Sequence, residues 1–349
     1  MSGSRATLAQ VAARAGVSVS TASLAFSGSG PVSAATRERV LAAAEQLRYA
    51  GPDPRGRSLR QGRSGIIAVV MEDRVLAAFR DPVRIAVLDG IAQETSAQGQ
   101  GLLLLSDVGE SADAIGTATM DAAILLAFSY RSDPTVELLR RRVVPLVALG
   151  GPDHGLLTIS IDDEAASAAA AAHLAGLGHT DVAIVTLPLV NVDSPAARGP
   201  LTADAMRAAS VTVSLTRLRG ARSVFPAAAG WVSAASSVDE GMIAGQALLA
   251  DPARRPTAVI AQSDLLAAGV IRAAHELGLS VPGELSVIGF DGIPLDRIIP
   301  QDLTTMVQPA AAEGRAAGRA VLDLLAGEHP RSTSFQCTFH PGATTARPA

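Results

Sequence analysis

The chain has 349 residues, of which 48% are hydrophobic, and a formal net charge of −4. That length accommodates two or three domains with cores of their own, and the composition excludes intrinsic disorder. Cys337 is the only cysteine, which excludes an internal disulfide and a multi-cysteine metal site.

In TLAQVAARAGVSVSTASLAF, residues 7–26, Leu8, Val11, Ala12 and Ala15 fall at helical spacing and make one apolar face about two turns long. Thr7 and Gln10 form a capping box before it, Gly16 can leave the helix with positive φ, and Ser18 caps a second helix running to about Phe26. Two short helices joined by a glycine turn predict a helix-turn-helix. After the loop SGSGP, Ser33 caps a third helix in which Val40, Ala44 and Leu47 line one face. Residues 1–63 hold nine Arg against Glu38, Glu45 and Asp53, a balance of +6, so residues 64–349 carry −10. A basic head on an acidic body is the asymmetry of a nucleic-acid-binding module fused to another domain. The chain contains no lysine, and arginine suits phosphate contact.

From Ser64 onward continuous apolar runs alternate with helical stretches. GIIAVVM, LLLLS (102–106), AAILLAF (122–128), VVPLVAL (143–149), DVAIVTL (181–187), TAVIAQ (257–262) and LSVIGF (285–290) read as strands, with helices at 82–98, 133–142, 163–176, 264–278 and 310–326 between them. Strands without polar alternation, separated by helices, predict parallel sheets covered on both faces. Six to ten such strands in two groups predict two doubly wound lobes that hold a ligand at the carboxyl ends of the strands.

Catalytic motifs do not appear: there is no G-x-S-x-G, H-E-x-x-H, P-loop or G-x-G-x-x-G after a strand. Adjacent Asp162 and Asp163 diverge in any regular structure and make a poor acid/base pair. His179, in GLGHTD, reads as a turn residue with a local hydrogen bond, while His173 and His275 lack partners at metal spacing. No catalytic residue, metal or cofactor is expected, and the chain is not read as an enzyme.

Taken together, TLAQVAARAGVSVSTASLAF, VSAATRERVLAAAEQLRY and RSLR resemble the N-terminal region of the lactose/galactose-repressor (LacI/GalR) family of bacterial transcription regulators. IDDEAASAAAAAHLAGLGHTDVAIV, TAVIAQSDLLAAGVIRAAHELGLSVPGELSVIGFDGIP and LTTMVQP extend the likeness, in order, through nearly the whole chain. The resemblance implies a three-helix DNA-binding domain (1–51), a hinge helix (52–63) and a two-lobed, periplasmic-binding-protein-like α/β effector and dimerisation domain (64–349). It implies a homodimer, with a tetramer as a further assembly, that binds a partly palindromic operator in double-stranded DNA and answers to a small effector.

The resemblance also assigns residues. Val19, Ser20 and Leu24 stand where similar proteins reach base edges in the major groove. Ser18, Thr21 and Ser23 are short hydroxyls suited to phosphate oxygens, and Thr7, Arg57 and Ser58 complete the DNA-contacting set. Leu59, in PDPRGRSLR, stands at the position of the apolar wedge inserted into the minor groove. For the effector, Asp291 of GFDG is placed to accept hydroxyls of a sugar-like ligand, Arg217 of RLRG to offer a fork of donors, and Ser263 of QSD stands where asparagine is common. Phe79 and Trp231 are candidate apolar walls.

Two other classes compete. A solute-binding component of a transport system shares the two-lobed fold but needs a signal peptide and no basic head. The opening MSGSRATLAQ lacks the apolar stretch of such a signal, and no apolar run approaches the ~18 residues of a membrane span. An α/β enzyme with a helical extension needs a nucleophile–base pair or cofactor loop. The expectation is therefore a DNA-binding regulator, cytoplasmic and at the nucleoid, without a membrane partner.

Overall fold

The computed structural model describes residues 6–28, 30–51, 62–108, 113–126, 128–129, 132–151, 155–190 and 198–349. The chain divides into two compact units, Met1–Gly65 and Ile66–Ala349.

In the first unit, α1 (Leu8–Ala15), α2 (Val19–Ser27) and α3 (Ala34–Gln46) form in that order. Each starts at a hydroxyl cap: Thr7 with its full capping box to Gln10, Ser18 accepting from Thr21 N, and Ser33 accepting from Thr36 N. Gly16 and Gly28 end α1 and α2 in the left-handed region, where a side chain would be strained. Small residues let the helices approach: Val11, Ala12, Ala15, Ala22, Ala25, Val40, Ala43 and Ala44 make the core, with Leu8, Phe26, Leu47 and Tyr49 packed around it. Phe26 and Tyr49 meet edge to face at 5.6 Å.

The second unit holds two sheets. The first is wholly parallel, in the order β12-β5-β4-β3-β1-β2, from β1 (Ile66–Met71), β2 (Gly101–Ser106), β3 (Ala122–Leu126), β4 (Leu146–Leu149), β5 (Leu157–Ile161) and β12 (Thr333–Phe335). The second, β13-β11-β10-β9-β6-β8-β7, is parallel through its middle, with antiparallel edge strands. It comprises β6 (Val182–Thr186), β7 (Gly199–Pro200), β8 (Ala229–Val232), β9 (Ala258–Ala261), β10 (Ser286–Asp291), β11 (Thr305–Val307) and β13 (Thr338–His340). Every residue of β3, β6, β9 and β10 is buried, which is why these strands carry no polar alternation.

Four helices lie against the first sheet's side of the unit in chain order: α4 (Val75–Ala78), α5 (Pro82–Ala97), α6 (Asp113–Thr117) and α7 (Asp133–Arg141). The second sheet's helices are α8 (Asp163–Leu177), α9 (Ala203–Arg207), α10 (Thr212–Val224), α11 (Val238–Leu249) and α12 (Asp264–Glu276). The last helix, α13 (Ala310–Leu325), follows β11 of the second sheet, yet its Ala310, Ala317, Ala320 and Val321 pack into the first lobe's core with Ile67, Ile91 and Ile124. The chain thus crosses between lobes after β5, after β11 and between β12 and β13.

Helix pairs close on glycine. A methyl at Gly90 of α5 would strike the Ala311 carbonyl of α13, and one at Gly314 would strike the Val87 carbonyl of α5. Gly220 of α10 lies in the same way on Glu164 O of α8, and Gly269 of α12 on Val238 O of α11. Backbone, unlike a flexible side-chain tip, cannot swing aside. Gly314→Ala is therefore expected to destabilise the second unit by ~1–3 kcal/mol, seen as a lowered denaturant midpoint at unchanged slope; an unaltered midpoint would refute this account of the crossing.

Three sequence readings change. The predicted strand at 143–149 begins only at Leu146, because α7 runs to Arg141 and Val143 follows it in the left-handed region (φ 57°), 85% exposed. Several strands went unread: β5 is only half-buried along its length, and β7, β11, β12 and β13 have two or three residues, too few for a period. His179 makes the local bond expected of a turn residue, its N–H donating to Leu174 O after the Gly178 cap, but it does more. It is buried, its Nδ1 lies 2.8 Å from Thr257 Oγ1 and its Nε2 2.8 Å from Ala346 O, so it ties the C-terminal segment to the second lobe.

Candidate functional site

On the first unit, α2 buries Ala22 and Ala25 and turns the rest of its surface outward. Val19 is 50% exposed and Leu24 38%, so both side chains of this nine-residue helix are accessible to a partner. Ser18 and Ser20 are exposed beside them, and Thr21 and Ser23 are half-buried. Ser18 Oγ accepts from Thr21 N at 3.1 Å and lies 2.9 Å from Ser20 Oγ, so capping occupies it at least in part. Thr7, exposed, is committed to Gln10. Among the described residues of this unit, Arg14 donates to Gln46 and Arg39 to Thr36. Arg57, Ser58 and Leu59 lie outside the described residues.

In the second unit the polar groups gather at the carboxyl ends of β9 and β10, around one guanidinium. Arg217 of α10 is 4% exposed; its Nε donates to Asp163 Oδ1 at 2.7 Å, and its Nη1 donates to Gln262 O at 2.7 Å and to Asp291 Oδ1 at 3.4 Å. Its Cζ lies 3.6 Å from the centroid of the Phe290 ring, an attraction added to the ion pairs. Asp291 closes β10 at φ 128°, a strained setting for a non-glycine residue, and also accepts Gln308 Nε2 at 2.7 Å. Burial pushes its carboxyl well above the usual range against the pull of Arg217, with Asp264 and Asp81 pushing the same way as burial.

Asp264 Oδ2 accepts Gly292 N and Ile293 N, and Oδ1 accepts Thr305 Oγ1, which fixes the turn after Asp291. Burial raises the Asp264 carboxyl as well. Ser263 is buried; its Oγ caps α12 by accepting Leu266 N and accepts Ser236 Oγ at 2.9 Å. Arg217, Asp291 and Ser263 are thus brought to one edge. Phe79 and Trp231 are placed differently. Phe79, just after α4 of the first lobe, is 59% exposed. Trp231 sits inside β8 opposite Val185 and Pro200 and packs on the second lobe's core.

Residues 7–51 match "Bacterial regulatory proteins, lacI family" and residues 171–345 match "Periplasmic binding protein-like domain". The HTH-type transcriptional regulator Rv3575c of Mycobacterium tuberculosis is 34% identical over 332 residues, covering 91% of this chain and 90% of its own. The chain belongs to the LacI family. The HTH-type transcriptional regulator IpsA of Corynebacterium glutamicum is 31% identical over 359 residues, covering 97% of each chain. The solved transcriptional regulator CelR–cellobiose complex superimposes with TM-score 0.68 at 25% identity, over 97% of this chain and all of that one.

As a LacI-family member the chain is a DNA-binding transcriptional regulator with a two-lobed α/β domain, and among the described residues no helix is long and apolar enough to cross a membrane. The family likeness supplied Arg217, Asp291 and Ser263, but Asp163, Phe290, Gln262, Gln308 and Asp264 complete the cluster and went unassigned. One physical rule bears on them: an Arg that is to be buried needs carboxylates around it.

Proposed function

We propose that this regulator binds a partly palindromic operator as a homodimer, with a tetramer as a further assembly, and that a small sugar-like effector held between the lobes controls its affinity. Val19, Ser20 and Leu24 read base edges; Thr7, Ser18, Thr21, Ser23, Arg57 and Ser58 position the helix and hinge on phosphates, and Leu59 wedges the minor groove. Asp291, Arg217 and Ser263, with Phe79 at the first lobe's rim, take the effector. Such a protein works in the cytoplasm, at the nucleoid, and catalyses no reaction. The observation that carries the reading is the helix-turn-helix cap pattern, Thr7–Gln10, Gly16 and Ser18, with Val19, Ser20 and Leu24 exposed on the second helix.

Leu24→Arg tests it. A guanidinium there pairs bidentately with guanine, so the preferred base at one outer position of each half-site is expected to move toward guanine by ~1–3 kcal/mol of discrimination, in both halves together. Binding-site selection on the variant and the parent would read this out; identical outer bases for both would remove α2 as the reader.

A further inference from the structure

The carboxylates around Arg217 outnumber its charge. Asp163 comes from α8, Asp264 from α12, Asp291 from β10 and Glu313 from the first turn of α13, while Asp81 of the first lobe is close enough to act electrostatically on Asp291. Most have an occupation. Asp163 takes Arg217 Nε, Asp264 takes two backbone N–H groups and Thr305, Asp291 takes Gln308 and Arg217, and Asp81 caps α5 through Val83 N and pairs with Arg84.

Glu313 has none. It is 4% exposed, it stands at the second crossing between lobes, and its carboxylate has neither a hydrogen bond nor an ion pair among the described residues. Its neighbours locate it: Asp163 and Arg217 act on it, and it acts with them on Cys337 at the third crossing. Glu313 therefore belongs to the same charged cluster as Arg217 and Asp163. A buried carboxylate without a counter-charge is costly, and the usual relief is a proton or a cation. Burial, with the Asp163 charge, pushes Glu313 up to about 7 even though Arg217 opposes the shift.

A neutral polyol would leave the Glu313 carboxyl without a counter-charge, whereas an ammonium would supply the missing partner and would also lessen the repulsion between Asp81 of one lobe and Asp291 of the other. We propose that the cleft takes a small hydroxylated compound bearing a protonated nitrogen, which seats against the Glu313 carboxylate between the lobes. This rests on the reading of the cleft as the effector site. The ligand's hydroxyls meet Asp291, Gln308 and Arg217; its charge is what Glu313 selects.

Matched pairs test it on the full-length protein: glucose with glucosamine, galactose with galactosamine, mannose with mannosamine, glycerol with serinol, by calorimetry in two buffers of different ionisation enthalpy. The charged and titratable groups that act on Glu313, or on which it acts, are Asp163, Arg217 and Cys337. Binding of an ammonium ionises Glu313, so near pH 6 a proton is expected to leave to the buffer, and affinity is expected to rise with pH toward about 7 and to fall again once the amine itself loses its proton. The amine of at least one pair is expected to bind roughly tenfold or more tighter than its neutral partner. Glu313→Gln, the same shape without charge, should erase both the preference and the proton release.

Neutral members binding as tightly as the amines, no binding by any amine, or a preference that survives in Glu313→Gln would each overturn the inference. Operator release by a neutral sugar alone would overturn it while leaving the effector reading intact. Operator binding that no member of either kind alters would count against both.

Discussion

Raising salt from about 50 to about 200 mM is expected to weaken operator binding by ~10³ to ~10⁵. Each phosphate neutralised by an arginine releases condensed counterions, and about six to ten contacts give that loss. The head carries +6 in residues 1–63, and a dimer brings two such heads, so the number of contacts is within reach. The remaining residues carry −10 and repel the duplex, which leaves the head as the source of the electrostatic term. Fluorescence anisotropy across a salt series reads the slope; a flat series would mean that the basic head does not hold phosphate.

Arg217→Ala should cost the second unit ~3–5 kcal/mol, the loss typical of removing one partner from a buried charge group. Two carboxylates lose their counter-ion at once, Asp163 at 2.7 Å and Asp291 at 3.4 Å, and Phe290 loses the guanidinium over its ring. The loss depends on pH with a definite sign. Arg217 now pulls the Asp291 carboxyl down against a larger upward push from burial. Without that pull the carboxyl rises further above its unfolded value, so the variant's fold binds a proton more readily than its unfolded chain does. Between those two values stability falls as pH rises. The deficit relative to the parent is therefore smaller in acid and grows toward neutral pH. Denaturant melts at several pH values would show this; a deficit that stays constant or grows in acid would contradict the charge account.

Much of the fold was legible because its signals are local. Thr7 with Gln10, Gly16, Ser18 and Ser33 mark the first three helices through contacts of two or three residues, and Ile66–Met71 declares a buried strand by itself. The site was legible only where the family likeness reached it. Arg217 joins Asp163 and Asp291 from 54 and 74 positions away in sequence, and no period or spacing encodes such a contact. Asp162 and Asp163 show both sides of this. Their divergence follows from their adjacency, as expected: Asp162 caps α8 through Ala165 N while Asp163 turns to Arg217. That the second would meet an arginine depended on how α8 and α10 cross, which Gly220 sets by its backbone contact with Glu164. Phe290 was hidden for another reason: in a strand buried on both faces nothing in the pattern says which ring looks into the cluster.

Sequence-specific reading of duplex DNA by paired copies of α2 is the core of the proposed function. Selecting bound fragments from random duplex DNA with the purified full-length protein tests this most directly. A single enriched site with two inverted half-sites is expected, spaced as two recognition helices of a dimer require. Recovery of no common sequence, or of a site without twofold symmetry, would contradict it.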